Sequence, residues 1–205
     1  MLHTAPSDQK SANPVRCAAI LAGGKSSRMG RDKALIELNS EPLVRRTSRV
    51  LETIFERVVV VSNSQEVARA GQLARIADAH HSKGPLAGIQ AALRHFNEAT
   101  FIVACDLPFL NADFIRFQSE LWRDELDALV PEGANGIEPL HAIWSPSCLP
   151  AIEEALGFER PPSLRRVLGD LKMETIAREE VRHFDATFGL FENWNSPDDV
   201  RLDLR

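Results

Sequence analysis

The sequence is poor in cysteine, and its three cysteines, Cys17, Cys105 and Cys148, stand far apart with no CxxC pairing. That scarcity excludes a disulfide framework and a zinc site of the usual ligand spacing, leaving the thiols as small buried side chains in a reducing compartment. Positive charge is not in excess either. With 24 Lys and Arg against 29 Asp and Glu, the net charge is −5 and the pI about 5.7, against the basic face a general nucleic-acid binder needs. No stretch approaches the ~20 apolar residues of a membrane span, and the opening MLHTAPSDQKSANP has no apolar segment of the signal-peptide kind. The expectation is a cytoplasmic protein with neither nucleic acid nor membrane as partner, whose residues 1–14 form a disordered tail. Linkers and internal repeats are also missing, so residues 15–205 are expected to form a single domain, and 44% hydrophobic content supplies one sizeable core.

Charge is concentrated instead in one place. In residues 18–38, AAILAGGKSSRMGRDKALIEL, an apolar run breaks into Gly23, Gly24 and Gly30, and within residues 25–33 Lys25, Arg28, Arg31 and Lys33 are set against one acid, Asp32. The glycines permit positive φ and close backbone approach to a ligand, and the local excess of cations suits an anion, most simply a polyphosphate on a small molecule. Two common phosphate fingerprints fail on spacing. The P-loop glycine that should precede Gly24-Lys25-Ser26 is Ala19, and the alternate-glycine dinucleotide pattern is broken by Lys25. A surface turn with solvated charges is the alternative, but a cationic loop at the carboxyl end of a buried strand is where open α/β sheets bind ligands.

Along the chain, apolar runs alternate with helical patterns. VRCAAILA, RVVVVS, LARIAD and TFIVACD read as strands, while PLVRRTSRVLETIF, SQEVARAGQ, PLAGIQAALRHFNE and NADFIRFQSELWR read as helices, with Pro42 and Pro85 suited to first turns. After about residue 127 the pattern loosens: DALVPE, PLHAIWS and METIA look like strands, SPSCLPAIEEALGF and SLRRVLGDL like helices. The order predicts an α/β fold, a Rossmann-like three-layer α/β/α sandwich with a mostly parallel central sheet.

In that fold Asp106, closing TFIVAC, projects from the carboxyl edge of the sheet on the side of the glycine loop, and Asp78 closes LARIA in the same way. Magnesium commonly uses one or two carboxylates with substrate phosphates, so Asp106 is a candidate metal ligand; capping of the next helix is the alternative for both acids. Gly84-Pro85-Leu86-Ala87-Gly88 forms a loop-to-helix junction whose free amides could receive a ring or an anion, or simply start a helix. Near the C-terminus, Ser196 to Asp199 read as a helix start, which leaves Asn193 and Asn195 unexplained; their amide oxygens suit a cation or a substrate hydroxyl.

LAGGKSSRMGRDKA, GPLAG, CDLP, PLHAIWS and FENWNSPDD, in this order from about residue 17 to residue 200, resemble the molybdenum cofactor guanylyltransferases, the molybdopterin-guanine dinucleotide biosynthesis protein A family of the nucleotidyltransferase superfamily. The resemblance implies transfer of GMP from GTP to the terminal phosphate of the molybdenum-bearing pterin, with Mg2+, and release of pyrophosphate. It also implies that Leu21, Ala22 and Gly23 contact the nucleotide, that Lys33 meets its phosphates, that Asp78 binds on the nucleoside side and Asp106 binds the metal, and that Asn193 and Asn195 lie at the acceptor end. Cofactor-delivery or target molybdoenzyme proteins are compatible partners. Family members often carry Asn at the end of the second strand, where this chain has Val61, followed by Ser62 and Asn63.

Nucleotidyl transfer needs positioning and charge neutralisation rather than a protein nucleophile, so in-line attack is expected, with Lys25, Arg28 and Lys33 offsetting charge on the departing pyrophosphate. No Ser-His-Asp set is apparent, and His80 and His81 read as surface-loop residues. The alternatives are a relative using CTP or a sugar-phosphate acceptor, and a non-catalytic nucleotide- or cofactor-binding protein.

Overall fold

The structure, a computed structural model, describes residues 14–23, 32–78, 80 and 83–194. Along the chain run β1 (Cys17–Leu21), a 3₁₀ turn (Lys33–Leu35), β2 (Glu37–Leu38), β3 (Glu41–Pro42), α1 (Leu43–Glu52), β4 (Arg57–Val61), α2 (Gln65–Gly71) and β5 (Ala74–Ile76). Then come α3 (Pro85–Phe96), β6 (Thr100–Ala104), α4 (Ala112–Glu120), β7 (Ala128–Gly133), β8 (Gly136–Ile137) and β9 (His141–Trp144). The remainder is a 3₁₀ turn (Pro146–Cys148), α5 (Leu149–Gly157), α6 (Leu164–Gly169), β10 (Met173–Ile176), α7 (Arg178–Arg182) and a last 3₁₀ turn (Gly189–Phe191).

The main sheet has the order β10-β7-β9-β6-β1-β4-β5, with β8 paired to β7. Alternation along its strands divides the apolar residues between two cores. Ala18, Ile20, Phe101 and Val103 face one side with Val44, Leu51 and Phe114, while Cys17, Ala19 and Ile102 face the other with Ile89, Leu93 and Ile152. A central strand covered on both faces is apolar at every position, which explains the unbroken burial of TFIVA. All three cysteines are buried and free.

The helices stop and start where local chemistry dictates. Ser64 caps α2 by accepting from the Val67 N–H at 3.3 Å, and Asn111 caps α4 through the N–H groups of Asp113 and Phe114. Asn97 ends α3 in the left-handed region at φ 51°. Pro85 opens α3 as expected, but Pro42 stands one place earlier than expected, at the N-cap of α1, because it also pairs with Glu37 in the β2–β3 hairpin.

The mostly parallel sheet agrees with the sequence expectation, with two exceptions: β9 runs antiparallel to both β6 and β7, and β8 runs antiparallel to β7. The β2–β3 hairpin, β8 and α7 were not anticipated, each being too short to carry a periodic signal. No helix among the described residues is long and apolar enough to cross a membrane.

Strand order sets the position of a site. The chain passes from β1 outward to β4 and β5, then returns to place β6 on the opposite side of β1. The β1–β6 boundary is therefore a topological switch point, where connections leave in opposite directions and open a crevice beyond the strands' carboxyl ends.

Candidate functional site

The two strands flanking that crevice end in register. Leu21 pairs with Ala104, and the Cys105 N–H donates to the Leu21 carbonyl at 3.2 Å, so Ala22 and Gly23 leave the sheet beside Asp106. On the other flank the Ala22 N–H donates to the Val61 carbonyl at 3.0 Å, and the Ser62 N–H to Ile76 at 3.1 Å, bringing the ends of β4 and β5 to the same edge. Leu21 is half-buried, Ala22 buried and Gly23 exposed.

Lys33 returns to this edge from the far side of residues 24–31, which lie outside the described residues together with the expected cations Lys25, Arg28 and Arg31. Its position is held by its own 3₁₀ turn. Asp32 caps that turn by accepting from the Ala34 N–H at 3.1 Å, and the Leu43 N–H donates to the Ile36 carbonyl at 2.8 Å, tying the turn's end to α1. The Lys33 Nζ lies 3.7 Å from the Asp106 carboxylate, with side chains 27% and 18% exposed. Asp32 is thus the positioning group that sequence reasoning missed; an acid two residues before the amide it caps was the available signal.

Asp106 is not a helix cap, since Asn111 caps α4. Its carboxyl lies above the usual range because burial penalises its charge, and Lys33 opposes that rise. A partly desolvated carboxylate gains from a further cation. No cluster of three or more His, Cys, Asp or Glu side chains that could cage a metal exists among the described residues. The arrangement fits a magnesium ion bound by one carboxylate, substrate phosphates and water.

Asp78 lies at the other end of the same edge. With β1 and β4 between β6 and β5, it is three strand spacings from Asp106, about 14 Å at ~4.8 Å each. The two acids cannot share an ion, but the interval suits an extended nucleotide with phosphates at one end and nucleoside at the other. The Asp78 Oδ1 accepts from the His80 N–H at 2.7 Å, holding the turn after β5. Between them, Val61 and Ser62 are buried and the Ser62 hydroxyl accepts from the Ser64 N–H, whereas Asn63 is exposed at this edge.

The acceptor end shows more than the sequence suggested. A cavity of about 590 Å³ opens beside Asp106, bounded by Gly84 to Leu86 at the start of α3, by Leu107, by the turn before β9, by the start of α6 and by Asn193. Gly84 has φ 74° and precedes the free amides of a helix N-terminus. Gly88, the other glycine of GPLAG, instead lets α3 approach β1: a Cβ there would lie 3.1 Å from Leu21 Cδ2.

Two cations line this cavity that the sequence did not single out. Arg165 donates to the carbonyls of Asn135 and Ile137, and Lys83 donates to those of Phe158 and Glu159, so both are held by backbone oxygens. Glu138 faces them, and burial raises its pKa, with Arg165 opposing that rise. Asn195, the second expected acceptor residue, lies outside the described residues, while Asn193 lines the cavity.

Known proteins are similar to this chain in sequence and in fold. The family model for the MobA-like NTP transferase domain matches residues 18–176. The chain is 34% identical over 184 residues to the molybdenum cofactor guanylyltransferase of Syntrophotalea carbinolica, covering 89% of this chain and 87% of that protein. A probable molybdenum cofactor guanylyltransferase of Carboxydothermus hydrogenoformans is 42% identical over 139 residues, 67% of this chain and 70% of that one. Among solved structures, the molybdopterin-guanine dinucleotide biosynthesis protein A of Archaeoglobus fulgidus superposes with a TM-score of 0.75 at 28% identity, covering 90% of this chain and 95% of that one. A family match that begins in β1 and runs through β10, joined to 34% identity over 89% of the chain, makes this chain a member of the MobA-like NTP transferase domain family.

Proposed function

We propose that the protein is a molybdenum cofactor guanylyltransferase, which transfers GMP from GTP to the terminal phosphate of the molybdenum-bearing pterin cofactor. Residues 15–205 act as one nucleotidyltransferase domain in the cytoplasm, with residues 1–14 a tail outside it. The observation that carries this reading is the pairing of Lys33 with Asp106 at the carboxyl edge of the sheet, one residue before Leu107, which lines the cavity.

The nucleotide lies along the edge, its nucleoside toward Asp78 and Asn63 and its phosphates over Ala22, Gly23 and Lys33. The acceptor fills the cavity, oriented by Asn193 and Asn195, with its phosphate near the start of α3, where the helix dipole and free amides favour an anion.

A phosphate oxygen of the acceptor attacks the α-phosphorus in line. The bond to the β-phosphate breaks, and pyrophosphate leaves with the electron pair. Asp106 would hold the magnesium ion, which would supply neutralisation of phosphate charge there. Lys33 and Arg28 stabilise the leaving pyrophosphate, the role for which preorganised cations in a water-poor site are most effective. No side chain need form a covalent intermediate.

The test is an assay of purified protein with magnesium, the loaded pterin cofactor and each of GTP, CTP and ATP. Guanine dinucleotide and pyrophosphate should form from GTP, with roughly tenfold to hundredfold preference if a single mismatched base contact costs ~1–3 kcal/mol. Preference for CTP would move the protein to the cytidylyltransferases, a reading that Val61 in place of the family's Asn keeps in view. GTP binding without pyrophosphate release would make it a nucleotide-binding protein instead.

A further inference from the structure

Asn193 belongs to the acceptor cavity, and the residue after it does something different. Trp194 is 1% exposed and packs into a small core separate from the two main ones. Its ring meets Phe109 edge to face, with centroids 5.5 Å apart, and its cluster includes Leu38, Leu43 and Ile36. Its backbone N–H donates to the carbonyl of Asp106 at 2.9 Å.

We propose that Trp194 is a positioning residue that couples the acceptor cavity to the Asp106 carboxylate. The proposal rests on the guanylyltransferase reading given above. Two segments meet on this side chain, residues 36–43, which follow the Lys33 turn, and Phe109, three residues after Asp106; Trp194 in turn directly follows Asn193, which lines the cavity. Packing a large aromatic between segments restrains their relative motion, because interiors are close-packed and have few alternative arrangements. The hydrogen bond adds a direct tether between the acceptor-side chain and the backbone of the proposed metal ligand.

The turn after β6 is also held from the other side. Arg46 on α1 donates from Nε to the Pro108 carbonyl at 2.7 Å. Arg46 thus restrains the Asp106 turn through a bond that does not involve residue 193, and it separates the two effects that Trp194 joins.

The test compares Trp194→Ala, Trp194→Phe, Arg46→Ala and Ile152→Ala, the last a buried residue on α5 serving as a control for general destabilisation. Trp194→Ala should raise KM for the loaded pterin cofactor and lower kcat, each about tenfold, while GTP affinity changes less than about threefold. Trp194→Phe, which keeps an aromatic against Phe109, should recover most of both losses. Arg46→Ala should lower kcat without raising the acceptor KM, and Ile152→Ala should lower Tm without either kinetic change. Independently of turnover, amide exchange in the GTP-free protein should quicken across residues 104–110 and 190–193 together in Trp194→Ala, and not in Ile152→Ala.

A Trp194→Ala variant with lowered Tm but unchanged acceptor KM and kcat would overturn the coupling, as would exchange that quickens in only one of the two segments. If the unmodified protein forms no guanine dinucleotide, the functional reading fails, and the exchange pattern alone then decides whether Trp194 links the segments.

Discussion

The two halves of the central sheet are built by different rules. On the nucleotide side, β1, β4 and β5 are parallel neighbours joined by helices, and their ends are registered by backbone hydrogen bonds that any sequence of buried strands would make. On the acceptor side, β9 reverses direction, and the cavity wall is assembled from turns held by side chains: Lys83 on the 158–159 carbonyls, Arg165 on those of 135 and 137. A parallel scaffold holds phosphate chemistry common to many nucleotidyl transfers, whereas a wall of tethered turns can change shape between relatives without disturbing the sheet. On the proposed function, shared chemistry falls to one half and acceptor choice to the other.

The strongest way to break that division is at its border. Asp106→Asn should reduce turnover by about 10²–10³-fold with the fold intact, because a neutral amide replaces a carboxylate at the divalent cation. Turnover with magnesium, alongside circular dichroism, checks it; unchanged turnover removes Asp106 from the reaction. Lys33→Ala comes next, at about 10–10²-fold. A loss confined to kcat would mean that Lys33 meets charge developing on pyrophosphate, and a loss confined to GTP affinity that it grips the phosphates equally in the ground state.

A third experiment asks whether the acceptor half has its own stability. His141, at the start of β9, is fully buried among the rings of Phe101, Phe114 and Phe191, and neither ring nitrogen has a hydrogen-bond partner among the described residues. Burial lowers its pKa to about 4. The unfolded chain, with an ordinary imidazole near pKa 6.5, binds the proton more readily, so stability is lost as pH falls through the window from about 6.5 to about 4. Between pH 7.5 and pH 5 this group alone should cost on the order of 2 kcal/mol. His141→Leu, of similar volume, should lack that component in parallel urea titrations; equal pH dependence in both proteins would show that the ring protonates without unfolding.

The smallest effect sharpens the comparison most. Arg165→Ala should raise the acceptor KM by about tenfold, roughly 1.4 kcal/mol, and leave GTP affinity unchanged. Equal weakening of both substrates would mean that the two halves are not functionally separate.

How much of this was legible varied along the same division. TFIVACD and RVVVVS announced buried parallel strands, and Asp106 followed from its position after one of them. The reversal of β9 was not legible, because HAIW is apolar in either direction and burial alone carries no polarity. Asp78 was read as closing a strand; its turn-forming bond to the His80 N–H depends on local geometry that the residue types allow but do not require.

By itself the sequence determined the α/β class, the cationic glycine loop at a strand end and the acid at the neighbouring one, because strand burial and helix periodicity are local signals. Only the tertiary structure decided that Lys33 reaches Asp106, that Arg165 and Lys83 share a cavity with Asn193, and that Trp194 packs behind them. Those contacts join segments far apart in the chain. Their partners are selected by which surfaces the sheet order brings together, and no local pattern records that choice.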